Sequence, residues 1–302
     1  MIMNLLTLLI IGVNLSTSTK SNMQIHNLNP KKYKRFFAFG CSFTNYLWPT
    51  WADIIAHNIP HYENWGMGGA GNQFIFNSII ECNRRHQFTE DDLIIVMWTS
   101  CSREDRYVDD HWLVAATENR EQVYGKDWMK KFANQGKGLM IRDFATIDAT
   151  QRLLDSFKCS WANLNSLPLI RFDLDQAEKD VKRGLITVSE IEYRWNKQQM
   201  ILCQGGDFRD AYLADQDVVE LYKNIFVKIS EPLFERILTS MQRPNFGDRH
   251  PTPSESLSYI NDVLPNNLNA NEFVEYWNNI VTNISSKDKL STEFARPVVK
   301  RF

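Results

Sequence analysis

The sequence predicts an α/β protein built on a central, mostly parallel sheet, and three apolar stretches separated by two helical ones carry that prediction. Residues 35–40, "RFFAFG", are rich in aromatics and end on glycine, which reads as a buried strand. Residues 61–66, "HYENWG", read as a short second strand. Residues 91–100, "DDLIIVMWTS", are a near-continuous apolar run of the kind a sheet covers on both faces. Strand, helix, strand, helix, strand is the order that generates a parallel sheet.

The first helix lies within "WPTWADIIAHNI". Thr50 and Asp53, three residues apart, form a capping box, and Ile54, Ile55 and Ile59 supply an apolar face. The second helix spans 72–86, with Phe76, Ile79 and Ile80 on one side. Arg84 and Arg85 fall in its last turn, where cations suit the helix dipole. Beyond residue 103 the pattern loosens, and 103–138 yields no assignment. Residues 143–157 read as a helix, 158–169 hold a fourth strand, and 218–237 form the most amphipathic helical segment. Two more helices follow, one after the prolines at 251 and 253 and one over 271–284. No internal repeat or low-complexity linker divides the chain, so 23–302 reads as one domain with a long helical insertion at about 103–240.

A chain of 302 residues buries a sufficient core without staples, about 75% of its unfolded surface at this size. The 34 basic and 36 acidic residues nearly cancel, for a formal charge of −2. No long basic stripe occurs, which argues against a dedicated nucleic-acid binder. The one dense basic run, "KKYKR" at 31–35, reads as a solvated flank of the first strand. The five cysteines, Cys41, Cys82, Cys101, Cys159 and Cys203, are scattered with no C-x-x-C pair, and no H-E-x-x-H occurs. Neither a disulfide framework nor a metal is indicated, and no cofactor is expected.

Residues 1–22 combine a short apolar core with Ser and Thr, as a secretion signal does, but lack a basic start and a small-residue cleavage site. The apolar run is too short for a stable membrane span. A start at Met23 is the alternative. The unpaired cysteines favour an intracellular protein beginning there; a secreted one is the other reading.

In parallel sheets, ligands gather beyond the carboxyl ends of the strands. Ser42, the glycine-rich turn at 66–71 and Ser100 each follow a predicted strand, so all three are expected to face one crevice. Near the far end, "NFGDRHPTP" (245–253) sets Asp248 and His250 one residue apart in a stretch that its prolines keep irregular. A carboxylate beside a histidine fixes its tautomer and stabilises the imidazolium, which a serine nucleophile requires of its base.

Together "FAFGCSFT", "NWGMGGAGN", "IIVMWTSCSR" and "GDRHP" resemble, in the same order, the sequence blocks of the SGNH (GDSL-like) hydrolases. The resemblance covers residues 35–102 and 245–262; most of 103–240 lies outside it. It implies a three-layer α/β/α fold with a flavodoxin-like sheet. It also implies a serine esterase that cleaves an acyl ester, with O-acetyl on a carbohydrate as the expected substrate class, through an acyl-enzyme. Ser42 would be the nucleophile, His250 the general base, Asp248 its orienting acid and Gly69 an oxyanion donor. Two departures stand out. The family's third block ends in Gly-x-Asn, and that asparagine donates to the oxyanion; here Ser100 takes its place, or Asn72 substitutes from the glycine turn. The commoner Asp-x-x-His spacing is also one residue shorter here, as in related O-acetyl-transferring enzymes.

An O-acyltransferase of the same fold, or a non-catalytic domain that binds a glycan or protein, are the alternatives. The partner implied is a small-molecule or glycan ester; oligomeric state is not indicated. Cys41, beside the strand end, reads as a core residue rather than a rival nucleophile. Arg103 reads as a salt-bridge partner, with a substrate-anion contact as the other role. Trp48 and Trp65, which flank the expected crevice, read as packing residues, with stacking on a sugar as the alternative.

Overall fold

A computed structural model of the chain describes residues 24–115, 120–128, 136–169, 216–234, 248, 250–283 and 299. The strands are β1 (Arg35–Phe39), β2 (His61–Asn64), β3 (Asp92–Trp98), β4 (Glu104–Val108), β5 (His111–Ala115), β6 (Ser160–Asn165) and β7 (Ile229–Pro232). The helices are α1 (Trp51–Ala56), α2 (Asn72–His86), α3 (Arg120–Tyr124), α4 (Lys126–Trp128), α5 (Gly136–Ser156), α6 (Gln216–Leu221), α7 (Lys223–Val227), α8 (Pro253–Val263) and α9 (Asn271–Asn283).

Five strands form one sheet in the order β2-β1-β3-β6-β7, every neighbouring pair parallel. Numbered by chain order among these five strands this is 2-1-3-4-5, the flavodoxin-like order, and the strand order reverses between β1 and β3. A right-handed crossover after β1 and another after β2 run in opposite directions across the sheet, so α1 and α2 cover opposite faces. Accordingly α1 packs on α8 and α8 on α9, while α2 packs on α5 and α5 on α6 and α7. The result is a three-layer α/β/α architecture.

The middle strand β3 is buried at every position from Asp92 to Trp98, as its unbroken apolar run requires. Phe36, Phe39, Ile94, Val96, Phe74, Phe144 and Trp161 are wholly buried in the main core. The capping box at the start of α1 forms as expected, with Thr50 donating its N–H to Asp53 Oδ2 at 2.7 Å. Helix α2 has the predicted limits, but its buried face is Phe74, Ile75, Ile79 and Cys82. Phe76 and Ile80, expected on that face, are only half-buried. Two layers cover this helix, the sheet and the β4–β5 hairpin, so the apolar stripe is wider than one row.

The span expected to be an insertion contributes much of the core. It supplies β6 and β7, two of the five sheet strands, and the long helix α5. The unassigned stretch after residue 103 forms the antiparallel hairpin β4–β5. The amphipathic segment from 218 is not one helix: it breaks at Tyr222 and Lys228, and Ile229–Pro232 becomes the edge strand β7. Tyr259 of α8 pins that edge, since its hydroxyl accepts from Asn165 N–H at 3.2 Å and donates to the Glu231 carbonyl at 2.8 Å. Among the described residues no helix is long and apolar enough to cross a membrane. The leader at 1–22 and Cys203 lie outside the described residues.

Candidate functional site

Ser42 stands where β1 ends. Thr44 and Asn45 both donate backbone N–H groups to the Cys41 carbonyl, at 2.9 and 3.1 Å, which curls 41–45 into a single helical turn. Ser42 is half-buried in its second position. Gly40 is what lets this turn sit on the sheet. A Cβ there would lie 2.1 Å from Thr44 Oγ1 and 3.1 Å from the Met97 carbonyl, so any side chain would force the turn away. Cys41 is fully buried, its Sγ 3.5 Å from Ser166 Oγ, in keeping with a core residue.

The glycine turn is stitched to the serine turn. Met67 N–H donates to the Gly40 carbonyl at 3.1 Å, Asn45 Nδ2 to the Gly66 carbonyl at 2.9 Å, and Asn64 Nδ2 to the Thr44 carbonyl at 2.7 Å. Ala70 N–H closes a β-turn onto the Met67 carbonyl at 3.1 Å, with Gly69 in its third position at φ +80°. That is the type II position, which glycine fills without strain. Neither the N–H of Ser42 nor that of Gly69 has a hydrogen-bond acceptor among the described residues.

Asp248 and His250 form the pair that their spacing suggests. Asp248 Oδ1 accepts from His250 backbone N–H at 2.7 Å and lies 2.8 Å from His250 Nδ1. The carboxylate is almost wholly buried, while the imidazole keeps about a quarter of its side chain exposed, 26%. One carboxylate oxygen thus fixes both the main chain and the ring of the histidine.

Three residues bring this pair onto the segment that carries Ser42. The Phe43 ring meets His250 edge-on with centroids 5.5 Å apart. The Tyr46 ring stacks on His250 at 3.6 Å, and its hydroxyl donates to Asp248 Oδ2 at 2.5 Å. Trp48 Nε1 donates to the Pro251 carbonyl at 2.7 Å. Burial and the bond to Asp248 push the Tyr46 phenol well above its ordinary range, so it stays protonated and stays a donor. Ser42 Oγ and His250 Nε2 are not hydrogen-bonded to each other, and neither has another partner among the described residues. Trp48 and Trp65 are both buried, Trp65 donating to Glu63 Oε2 at 2.9 Å, as packing residues.

The two side chains that were candidates for the missing asparagine are committed elsewhere. Asn72 is wholly buried at the start of α2. Its Nδ2 donates to the Thr99 carbonyl at 2.9 Å and to Asp143 Oδ2 at 2.8 Å, and its Oδ1 accepts from Thr99 N–H at 3.0 Å. Both amide hydrogens are spent, so Asn72 offers an oxyanion nothing in this conformation. Ser100 is also wholly buried, with its Oγ 2.8 Å from Ser102 Oγ. The donors without an acceptor among the described residues of these two turns include the backbone N–H groups of Ser42 and Gly69.

The residues after β3 lock the glycine turn in place. Asp105 accepts from Gly71 N–H at 2.8 Å and from Phe74 N–H at 3.0 Å, capping α2 from another segment of the chain. Burial pushes its carboxyl up to about 6 despite these two bonds. Arg142 bridges Glu104, Asp143 and the Arg103 carbonyl, tying α5 to the same segment. Arg103 donates Nη1 to the Ala70 carbonyl at 2.7 Å. It forms no salt bridge among the described residues, contrary to the expected role.

Sequence reading missed Tyr46, Asp105 and Arg142. Tyr46, four residues after Ser42, was placed to share a helical face with it, but nothing local connects it to position 248. A separate trio, Glu63, Cys82 and His86, holds its ligand-type atoms within 4.8 Å of one another. Glu63 Oε2 there already accepts from Trp65 and lies 3.0 Å from His86 Nε2, and burial keeps the Cys82 thiol protonated.

No protein-family model matches the chain, and no match is found among curated proteins.

Proposed function

We infer that the chain is a serine esterase. Ser42 is the nucleophile, His250 the general base and Asp248 the carboxylate that orients it. The observation that carries this reading is the Asp248–His250 pair, held at 2.8 Å and packed through Phe43 and Tyr46 against the turn bearing Ser42. Segments some two hundred residues apart meet at the carboxyl end of β1, beside the point where the strand order reverses, which is where this sheet type binds ligands.

Substrate binding brings Ser42 Oγ and His250 Nε2 together, since such bonds tighten only in the complex. His250 takes the hydroxyl proton as Oγ attacks the ester carbonyl. Asp248 stabilises the imidazolium that results. The N–H groups of Ser42 and Gly69 receive the oxyanion, each donor contributing about 3 kcal/mol in sites of this kind. His250 then protonates the departing alcohol and activates the water that releases the acyl group. The four blocks in SGNH order support an O-acetyl ester of a carbohydrate as the substrate class.

The test is an ester panel of acetyl, butyryl and octanoyl 4-nitrophenyl esters together with acetylated sugars, assayed on wild type and Ser42→Ala. Hydrolysis by wild type that falls by about a thousandfold or more in the variant supports the reading, the loss expected for a nucleophile. Equal rates in the two proteins overturn it.

A further inference from the structure

We propose that Arg103 forms a binding site for a carboxylate carried by the ester substrate, so that the preferred substrates are acidic. This rests on the esterase reading and deepens it.

The observation is a buried cation without a counter-ion among the described residues. Arg103 keeps only 6% of its surface. Its Nη1 donates to the Ala70 carbonyl at 2.7 Å, and its other N–H groups have no acceptor among the described residues. The nearby carboxylates are engaged elsewhere. Glu104 pairs with Arg106 at 3.1 Å and with Arg142 at 2.6 Å. Asp105 spends both oxygens on the N–H groups of Gly71 and Phe74. Asp143 is held by Arg142 and Asn72. Taking a guanidinium out of water is costly unless an anion meets it.

Its place is equally specific. The guanidinium is fixed to the carbonyl of Ala70, the residue that follows Gly69 in the glycine turn. Arg103 also follows the end of β3 by five residues, at the strand-order reversal. A planar fork whose remaining donors meet no acceptor among the described residues, beside the turn that holds Gly69, matches a carboxylate in two-pronged geometry. A carboxylate of this kind belongs either to the acyl group, as in a hemisuccinate, or to the alcohol, as in an ester of a uronic or hydroxybenzoic acid.

Steady-state kinetics on two ester pairs distinguish these sources. The acyl pair is 4-nitrophenyl acetate and mono-4-nitrophenyl succinate. The alcohol pair is 4-acetoxybenzoate and its methyl ester. In wild type, one acidic member is expected to exceed its neutral partner in kcat/KM by about tenfold or more, mainly through KM, the value of a charge-assisted bond. Arg103→Gln is expected to remove that preference. No preference in wild type, or an equal loss on acidic and neutral esters in Arg103→Gln, overturns the proposal. Should Arg103→Gln not fold, Arg103→Lys decides: it keeps the charge but loses the fork, so the acidic ester is expected to suffer at least about threefold more than the neutral one, and an equal loss overturns the proposal. If wild type cleaves no ester, the esterase reading has failed, and calorimetric titration with succinate decides the anion site separately. Binding to wild type that Arg103→Gln loses upholds it; no binding to wild type overturns it.

Discussion

The ring of Tyr46 lies flat on that of His250, with centroids 3.6 Å and planes 15° apart, while its hydroxyl donates to Asp248 at 2.5 Å. One side chain therefore sets the plane of the histidine and occupies the second oxygen of its carboxylate. Because Tyr46 belongs to the loop that follows Ser42, it also sets where the pair stands relative to the serine.

Tyr46→Phe keeps the stacked ring and removes the bond to Asp248. Its kcat/KM on the best ester is expected to fall by about tenfold, the value of one hydrogen bond to a charged group. Tyr46→Ala removes the stacking as well and is expected to lose more. A Tyr46→Ala rate equal to that of Tyr46→Phe would show that the stacking contributes nothing.

Asn72 joins the end of β3 to α5, with both of its amide hydrogens already donated. Asn72→Ala leaves a buried carboxylate at Asp143 and the Thr99 peptide without their partner. A loss of about 3 kcal/mol in unfolding free energy is expected from urea denaturation. Ser100→Ala removes only neutral bonds, those to the hydroxyl and backbone N–H of Ser102, and is expected to cost about 1 kcal/mol, with ester turnover within about threefold of wild type. A Ser100→Ala protein that folds normally and loses turnover by a hundredfold would return Ser100 to the oxyanion site.

Asp105 ties stability to pH. Its folded value of about 6 lies above the ordinary 3.8, so in the window between them the native state binds a proton that the unfolded chain has released. Stability therefore falls as pH rises from about 4 to 6 and is flat for this group above that. At 1.4 kcal/mol per pH unit the full effect is about 3 kcal/mol. The difference in unfolding free energy between wild type and Asp105→Asn, measured across pH 4 to 7, is expected to shrink in that direction. A difference independent of pH would contradict it.

Much of this was legible in the sequence because the signals were local. The run Leu93–Trp98 is buried end to end, as an uninterrupted apolar strand must be. The capping box at Thr50 and Asp53 marked the start of α1, and Gly40 before Cys41 marked a turn that only glycine can place. What failed was tertiary. Ile229–Pro232 became an edge strand because β6 offered it a free edge, and no periodicity in four residues reports that. Asn72 and Ser100 had the right chemistry for an oxyanion, but Asp143 and Ser102, reached only through folding, claim their side chains. Arg103 was expected to be a salt-bridge partner; the fold gives the neighbouring acids Glu104 and Asp105 to Arg142, Arg106 and the start of α2.

The most direct measurement is covalent labelling with a fluorophosphonate probe, followed by mass-spectrometric mapping of the adduct. A single adduct on Ser42, absent from Ser42→Ala and slowed in His250→Ala while both variants stay folded, is the expected result. Full labelling of Ser42→Ala, or an adduct mapped to another residue, would contradict the account.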